Sequence, residues 1–451
     1  MTRYDTLIRN GTVIATMVQQ ADIAIDGGQI VAVAPELPGE ARETIDAVGL
    51  HVLPGVIDAH VHCNEPGRSE WEGFATATRA LAAGGATAFF DMPLNAHPPT
   101  CDAASFDLKR TAAERLSLID FALWGGLTPQ SIEQIDEMAE RGVIGLKAFM
   151  SNSGIDDFAV ADDLTLYEGM CRAAHCGLIV AVHAENDQIT SALAARAHAQ
   201  GRTSVRDYLA SRPVIAELEA IGRAILFADH TGCALHVVHV SSGAGVALVA
   251  EARARGVDVS CETCPHYLVL TEDDVERLGA VAKCAPPLRP QAEQDTLWQH
   301  MFTGTLPMVA SDHSPAPPEL KTSHDFFAVW GGIAGAQSTL LLLLSEGHAR
   351  RKLPLERIAD AAAGFVARRF KLVPQKGQIA VGADADLALI DLAGRTMLQA
   401  DDLHYRHRVS PYIGMAFQGR VARTLVRGTT VMRDGMIVSP PIGRLLVANG
   451  N

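Results

Sequence analysis

Short apolar runs alternate with longer amphipathic stretches through the middle of the chain. Eight such runs occur: VIDAHVH, ATAFFDM, DFALWGGL, VIGLKAF, LIVAVHAE, LHVVHVSS, VDVSCETC and LPMVASD. The stretches between them carry alanine, leucine and charged residues, as helices that cover a sheet do. Strands that alternate with helices predict parallel βαβ units, and eight units in ~250 residues or more are the size of a (β/α)₈ barrel.

Both ends of the chain show a different pattern, in which short apolar runs are separated by turn residues. Four turns are predicted there, at Asn10-Gly11, Asp26-Gly27-Gly28, Gly428-Thr429 and Asp434-Gly435. We therefore predict an α/β protein with a (β/α)₈ TIM-like barrel over residues 53–372. Residues 1–52 and 373–451 are predicted to form a small β-sandwich module together.

Composition and charge narrow the possible functions. The 451 residues are 48% hydrophobic and 20% charged, and the formal net charge is −14. An acidic chain of this kind is a poor partner for nucleic acid or an anionic membrane, since both attract basic surfaces. The eight cysteines are scattered, and the first residues lack the apolar segment of a secretory signal. We therefore expect a reduced, cytoplasmic protein.

One stretch, residues 326–345, contains no charged residue and is long enough to suggest a membrane span. It also holds Gly331, Gly332 and Gly335, and only residues 340–344 are strongly apolar. We therefore predict a glycine-rich loop that leads into a buried helix.

Reactive side chains end five of the eight predicted strands, where (β/α)₈ barrels carry their chemistry. They are His60, His62, Lys147, His183, His239 and Asp312. His60 and His62 are two residues apart and so lie on one face of a strand. A lone strand histidine is more often structural, but imidazole and carboxylate groups together at neighbouring strand ends predict a site for zinc-like divalent ions.

Lys147 is the unusual member of this set, because an ammonium group cannot bind a metal. It fits if the amine reacts with CO₂ to give a carbamate. That anion has two oxygens and could bridge two metal ions.

Other polar candidates are weaker. Cys261 and Cys264 form a CxxC pair, but no second pair accompanies it, so packing is the better interpretation. His236 lies on the opposite strand face from His239 and is interpreted as structural. His266 and His313 are candidates for orienting their neighbours.

At these residues the sequence resembles the cyclic amidohydrolases of the amidohydrolase superfamily, which include dihydroorotases, hydantoinases or dihydropyrimidinases, and allantoinases. The likeness covers nearly the whole chain, including the split β module. It implies a homotetramer and two divalent metal ions per chain, most simply zinc, with cobalt, manganese or iron as alternatives. The implied metal ligands are His60, His62, carbamylated Lys147, His183, His239 and Asp312.

The resemblance also implies a mechanism. Two metal ions lower the pKa of water towards ~7 and so supply a bridging hydroxide for attack on a cyclic amide. Asp312 is expected to be catalytic, because it can take the hydroxide proton and deliver it to the leaving nitrogen.

Finer motifs distinguish the members of the family. Asn64 stands where dihydroorotases usually carry an arginine that holds the substrate carboxylate, and Asn152 stands where hydantoinases usually carry an oxyanion-stabilising tyrosine. Trp330-Gly331-Gly332 replaces the Asn-Gly-Gly of hydantoinases. By contrast, NEPGR, EWEGF, DMPLN, KCAPPLR and HRVSPYIG look like allantoinase motifs.

These motifs lead us to expect hydrolysis of allantoin, a small cyclic ureide, to allantoate. Motif position implies that Asn64, Asn152, Ala285 (through its backbone) and Trp330 line the substrate pocket. In place of the tyrosine, the metal and Asn152 or Ser153 are candidates to stabilise the oxyanion. Hydantoinase or dihydropyrimidinase activity is the alternative, with dihydroorotase activity and a non-catalytic scaffold as further possibilities.

Overall fold

The structure, a computed structural model, describes residues 3–449. The strands within this range are β1 (Arg3–Ile14), β2 (Val18–Asp26), β3 (Gln29–Ala34), β4 (Glu40–Asp46), β5 (His51–Pro54), β6 (Val56–Val61), β7 (Ala86–Asp91), β8 (Asp120–Leu123), β9 (Gly125–Gly126), β10 (Leu146–Phe149), β11 (Ile179–His183), β12 (Ala234–Val237), β13 (Val259–Thr263), β14 (Met308–Val309), β15 (Leu387–Met397), β16 (Ala416–Val426), β17 (Thr429–Arg433) and β18 (Met436–Ile437).

The α-helices lie between and after the central strands. They are α1 (Phe74–Ala83), α2 (Ala103–Leu116), α3 (Ile135–Arg141), α4 (Asp163–His175), α5 (Asp187–Ala199), α6 (Val205–Ala210), α7 (Val214–Thr231), α8 (Gly243–Ala254), α9 (Pro265–Val269), α10 (Glu272–Leu278), α11 (Gln291–Thr303), α12 (Thr339–Leu342), α13 (Leu355–Ala359) and α14 (Phe365–Arg369). Several begin at a capping side chain: Asp102, Asp162, Asn186 and Ser242 each accept a hydrogen bond from an amide of the first turn.

The central strands form the predicted parallel barrel. Strands β6–β7–β8 make one sheet, and β9 to β14 make a second in sequence order. β8 and β9 are two parts of one predicted run, separated by Trp124, so all eight runs are strands. The barrel closes where Val61 bridges His313 and the His62 amide donates to the His313 carbonyl at 2.8 Å. The barrel prediction is therefore confirmed.

Two apolar regions hold the barrel together. Ile57, Phe90, Trp124, Ala181 and Met308 belong to one buried cluster, to which alternate strand residues contribute. The residues between them along the strands point outward and pack on the helices, as in the large cluster that contains Val61, Phe89, Leu146 and Val180. Strands buried on both faces explain why the runs are continuously apolar rather than alternating.

Both termini build the predicted β module. Its strands form one hydrogen-bonded nine-stranded sheet in the order β18-β17-β16-β15-β5-β1-β2-β3, with β4 paired to β1. A buried cluster that includes Ile8, Ile23, Val52, Leu387 and Leu425 joins strands from the two ends. Residues 1–2 and 450–451 of the predicted module lie outside the described range.

One of the four predicted turns is wrong. Asn10 and Gly11 lie inside β1, where the pairing with β2 shifts between Ile8 and Gly11. Asn10 has a φ of 62°, and its amide bonds Asp22, so the pair forms a bulge. The other three turns join β2 to β3, β16 to β17 and β17 to β18 as predicted.

The boundary between module and barrel remains a prediction, and the chain end crosses it. Gly443 and Leu446 donate their amides to the carbonyls of Ser117 and Phe121 on the barrel. The tail after β18 therefore pairs with the barrel.

The uncharged stretch at 326–345 has the predicted form. A loop leads into short buried helical turns at Ala336–Ser338 and α12, and a π-helix follows over Leu343–Arg350. Within residues 3–449 no helix combines the length and apolar character needed to cross a membrane.

Candidate active site

The six predicted side chains meet at the carboxyl end of the barrel. His60 and His62 lie at the end of β6, Lys147 lies in β10, His183 ends β11, and His239 and Asp312 follow β12 and β14. His239 and Asp312 adopt left-handed backbone conformations, with φ of 41° and 45°. Such conformations are costly for non-glycine residues and are concentrated at functional sites.

Three of these residues converge on one point. Asp312 Oδ1 lies 3.2 Å from His60 Nε2 and 3.5 Å from His62 Nε2. The three ligand atoms all lie within 4.8 Å of one another, and both rings are buried. Two imidazole nitrogens and a carboxylate oxygen facing one point are a suitable donor set for a divalent metal ion.

A second pair of rings faces the first group. His183 Nδ1 and His239 Nε2 are 3.0 Å apart, and the His60 and His239 ring centroids are 5.4 Å apart. Burial lowers the pKa of His183 and brings the pKa values of His60 and His239 well below their usual range. The rings are therefore neutral near pH 7, and a neutral imidazole is the form that binds a metal.

Lys147 lies fully buried beneath the histidines. Its Nζ has no hydrogen-bond partner within residues 3–449. Burial lowers the pKa of this amine to about 7, although Asp312 and Glu262 act in the opposite direction. A large neutral fraction is therefore present near pH 7, and a neutral amine is the form that reacts with CO₂.

A buried carboxylate orients His60, and sequence reasoning missed it. Glu262 Oε1 lies 2.7 Å from His60 Nδ1, which leaves His60 Nε2 facing the site. Glu262 Oε2 contacts His236 Nε2 at 3.1 Å, and His236 Nδ1 lies 2.8 Å from Ser260 Oγ. His236, interpreted as structural from the sequence, therefore supports a candidate ligand through Glu262. The position of Glu262 at the end of the seventh apolar run was the available signal.

Glu185 serves His183 in the same way and was also missed. Its Oε2 lies 2.9 Å from His183 Nε2 and forms an ion pair with Arg212. Burial acts to raise the pKa of Glu185, but Arg212 and His183 outweigh it and lower the pKa to about 2. Glu185 follows His183 by two residues, so its place just beyond a strand end was visible in the sequence.

His313 and His266, the two histidines expected to orient neighbouring side chains, have different surroundings. His313 accepts a hydrogen bond at Nδ1 from the Gly335 amide at 3.2 Å and helps close the barrel. His266 is buried, and neither ring nitrogen has a hydrogen-bond partner within residues 3–449. A ring atom of His266 lies within 4.8 Å of Asp312 and Cys264. Cys261 and Cys264 are both buried and unbonded, as the packing interpretation predicts.

A cavity of about 420 Å³ opens above the converging side chains. Its wall includes His60, His62, His183, His239, Asp312, Asn95, Tyr208, Arg212, Lys283 and three of the four residues expected to contact substrate, Asn152, Ala285 and Trp330. A volume in this range suits a small-molecule ligand.

Asn64 is not part of that wall, contrary to expectation. Its side chain is buried, with a backbone φ of 62°, and Nδ2 donates to the Pro315 carbonyl at 3.3 Å. Asn95 lines the cavity instead, and its Nδ2 lies 3.4 Å from His62 Nδ1. The left-handed turn after His62 directs Asn64 away from the cavity, and this could not be read from its place in the motif.

The two candidates for oxyanion contact are held differently. Asn152 is exposed at the cavity wall, and its Oδ1 accepts the Gly154 amide at 2.8 Å. Ser153 donates its hydroxyl to the Phe158 carbonyl at 2.7 Å. Ser153 is therefore committed to the loop in this structure, whereas the Asn152 amide group can face a ligand.

The donor set fits divalent metal ions. Four imidazoles and a carboxylate lie together, and Lys147 adds a buried nitrogen that has no hydrogen-bond partner within residues 3–449. The chemistry of the donors therefore matches that of a metal-dependent hydrolase.

Comparisons with known proteins agree with this geometry. Residues 51–431 match the model of the amidohydrolase family. The chain is 59% identical over 446 residues to an allantoinase of Rubrobacter xylanophilus, covering 99% of this chain and 98% of the relative. It is 58% identical over 448 residues to an allantoinase of Solibacter usitatus, with the same coverage of both chains.

Solved structures of related enzymes share the fold. An L-hydantoinase (dihydropyrimidinase) from Arthrobacter aurescens superposes with a TM-score of 0.96 at 35% identity, over 98% of this chain and 100% of the other. A dihydropyrimidinase from Brevibacillus agri gives a TM-score of 0.92 at 34% identity, over 98% of each chain. The chain belongs to the amidohydrolase family and, within it, to the cyclic amidohydrolases.

Proposed function

We propose that this enzyme hydrolyses allantoin to allantoate at a centre of two divalent metal ions. The observation that carries the proposal is that His60, His62, His183, His239 and Asp312 line one cavity of small-molecule size, with the buried, unpartnered Lys147 amine close to the histidines. The high identity to allantoinases over the whole chain supports allantoin as the ring that is opened.

In the proposed centre, His60 and His62 would hold one metal ion and His183 and His239 would hold the other. Lys147, as a carbamate, and Asp312 would complete the ligand set. When bound, the two ions would supply a hydroxide nucleophile and a Lewis acid for the ring carbonyl. Zinc is the simplest choice for this donor set, and cobalt, manganese or iron can bind similar ligands.

The reaction breaks the C–N bond of one ring amide: the carbon takes an oxygen from water and becomes a carboxylate, the nitrogen takes one proton, and the second proton of water is released to solvent. Asp312 is the group of this chain placed to move a proton, because its carboxylate lines the cavity. It would accept a proton from the nucleophile and deliver it to the leaving nitrogen. Glu262 and Glu185 keep His60 and His183 in the tautomers that leave a lone pair facing the centre.

The cavity wall suits a polar ring without a carboxylate. Its lining combines amide groups with the Trp330 ring, and Asn152 contributes an amide donor near the mouth. Arg212, the guanidinium of the wall, is already paired with buried Glu185. Recognition of an uncharged cyclic ureide requires hydrogen bonds from such amides and backbone groups rather than an unpaired cation.

A comparison of initial rates tests the proposal. Metal-loaded enzyme is given allantoin, hydantoin, dihydrouracil and dihydroorotate separately, and we expect allantoin to have the highest kcat/KM. The hydantoinase alternative is favoured by the structural neighbours, and it requires hydantoin or dihydrouracil to lead. A dihydroorotate rate equal to that on allantoin, or no turnover of any ring, would contradict the proposal.

We also propose a homotetramer in the cytoplasm. The eight cysteines are all unpaired, which suits a reducing compartment. Several large apolar side chains are exposed on one outer helix pair, including Leu164 on α4 and Ile215 and Leu226 on α7, and such surface suits contact between subunits. Light scattering of the purified protein tests the tetramer directly.

A further inference from the structure

Two lysines hold the loop that forms one wall of the cavity. Lys283 Nζ donates to the carbonyls of Phe326, Phe327 and Val329 at 2.7, 3.0 and 2.5 Å. All three acceptors lie in the loop that carries Trp330 over the cavity. Burial lowers the pKa of Lys283 to about 7, but only the protonated amine has the three donors that these three carbonyls require.

Lys321 binds the following part of the same loop. Its Nζ donates to the carbonyls of Trp330 and Gly332 at 3.1 and 2.9 Å, and to that of Ala280 at 3.3 Å. The two lysines thus bind five carbonyls between residues 326 and 332, which we call the wall loop. The bond to Ala280 ties this loop to the segment just before Lys283.

Side-chain packing holds part of the wall loop, because Phe326 and Val329 are buried in the main apolar cluster. A second cavity of about 270 Å³, with mostly apolar residues around it, lies on the other side, and Gly332 borders both cavities. Gly332 has a φ of 145°, and a Cβ there would lie 2.2 Å from the Ser314 carbonyl oxygen. The hydrogen bonds from the two lysines add to this packing by fixing the backbone carbonyls, including that of Gly332, which has no side chain to pack.

Aromatic rings fix the position of Lys283 itself. Its Nζ lies 4.5 Å from the centre of the Tyr208 ring and 5.4 Å from that of Phe326. Tyr208 is held in turn by a 2.9 Å hydrogen bond from its hydroxyl to the Cys284 carbonyl. These contacts therefore fix the ammonium in a position from which it can bind the loop carbonyls.

We propose that Lys283 and Lys321 are specificity-determining positioning residues, which set the substrate wall by clamping the backbone of residues 326–332. The inference rests on the proposed function for its choice of substrate. It assigns the fit of the ring to two residues that are not among the candidate metal ligands. The chemistry at Asp312 is expected to be independent of them.

The test compares Lys283→Met and Lys321→Met with Lys352→Met. Methionine keeps an unbranched apolar side chain and removes the charge and the donors. Lys352 is exposed and also donates to a carbonyl, that of Ala349 at 2.8 Å, but it is outside the cavity wall. Steady-state kinetics on allantoin, metal content and hydrogen exchange of residues 320–334 are measured for each.

We expect each clamp variant to raise KM tenfold or more, while kcat changes less than threefold and metal content stays at the wild-type value. The rate of amide hydrogen exchange should rise at least tenfold in the wall loop and stay unchanged in β6. Lys283→Arg should have a KM between those of Lys283→Met and the wild type, because arginine restores charged donors. Lys352→Met should match the wild type.

Several outcomes would overturn the inference. Unchanged KM together with unchanged exchange in the wall loop would do so, and so would a loss of kcat or metal with KM preserved. If Lys283→Met does not fold, Lys321→Met supplies the same comparison, because Lys321 is only half-buried. Hydrogen exchange needs no turnover, so a wild-type enzyme inactive on all four rings would refute the proposed function and still leave the clamp testable.

Discussion

At the residue scale, the candidate ligands are set by strand ends and by the buried groups behind them. His60 and His183 each use one ring nitrogen for a buried glutamate and direct the other towards the centre. Asp312 reaches the same point through a left-handed backbone. Burial lowers the pKa of both rings, and a neutral imidazole is the form that binds a metal.

Asp312→Asn separates metal binding from proton transfer. An amide oxygen can still contact a metal, but it cannot take up a proton, so we expect metal content near the wild-type value and a fall in kcat of at least ~100-fold. Metal analysis and the initial rate on allantoin measure the two effects. A variant with near-normal kcat would refute the role of Asp312 as the proton carrier.

Glu185 gives the protein a specific dependence of stability on pH. Its folded-state pKa of about 2 lies below the ordinary value of 4.5. The stability it contributes is therefore fully present above about pH 4.5 and is lost as the pH falls towards 2. A shift of about 2.5 pH units corresponds to roughly 3 kcal/mol.

Unfolding of metal-free wild type and Glu185→Gln between pH 6 and pH 3 measures this dependence. We expect the wild type to lose more of its free energy of unfolding than the variant over this interval. Parallel curves for the two proteins would show that the ion pair with Arg212 does not lower the pKa of Glu185.

The residues that sequence reasoning could place are those that end an apolar run. His60, His183 and Asp312 were assigned to a common centre because parallel strands end at the same edge of a barrel. The partners Glu185 and Glu262 lie at strand ends too, but only the folded distances show which histidine each one contacts. Asn64 was expected to line the cavity, but its side chain points elsewhere, because its direction depends on a single positive φ.

At the scale of elements, the apolar runs predicted every barrel strand, and turn residues predicted most of the β module. The exception, Asn10-Gly11, has the same local preference for a positive φ in a bulge as in a turn. Here β1 pairs with β2 on both sides of Asn10-Gly11, so the pair forms a bulge rather than a turn. The π-helices at Leu343–Arg350 and Asp360–Gly364 left no sequence signal, because they differ from α-helices by the insertion of a single residue.

Barrel and β module are joined by a buried ionic cluster. Lys376 lies 2.6 Å from Asp120 at the start of β8 and 2.6 Å from Asp386 just before β15, with Asp384 at 2.9 Å. Arg427 also pairs with Asp120. One buried ammonium thus neutralises carboxylates from both parts of the fold, and the carboxylates raise its pKa.

Lys376→Met should therefore destabilise the whole protein. It leaves buried carboxylates without their cation, and breaking such a cluster costs about 3–5 kcal/mol. Urea unfolding of this variant and of Lys371→Met, an exposed lysine close by in the chain, measures the difference. Equal stability of the two variants would show that Lys376 does not hold the module to the barrel.

At the scale of the whole molecule, an acidic chain encloses a cavity lined by histidines, and Lys147 lies buried nearby with its pKa lowered by burial to about 7. The barrel supplies the candidate ligands from strands that are far apart in sequence, and the terminal module adds none of them. The overall charge argues against a nucleic-acid partner, and the volume of the cavity suits a small molecule. The choice of allantoin as the substrate rests on sequence motifs and on the similarity to allantoinases.

A metal titration followed by allantoin hydrolysis tests whether the enzyme works through two metal ions. Chelator-stripped enzyme receives zinc in steps in the presence of bicarbonate, and the initial rate and bound zinc are measured together. We expect a rate that starts near zero and rises until two ions are bound per chain. Full activity in the stripped enzyme, or no activity with both sites filled, would contradict it.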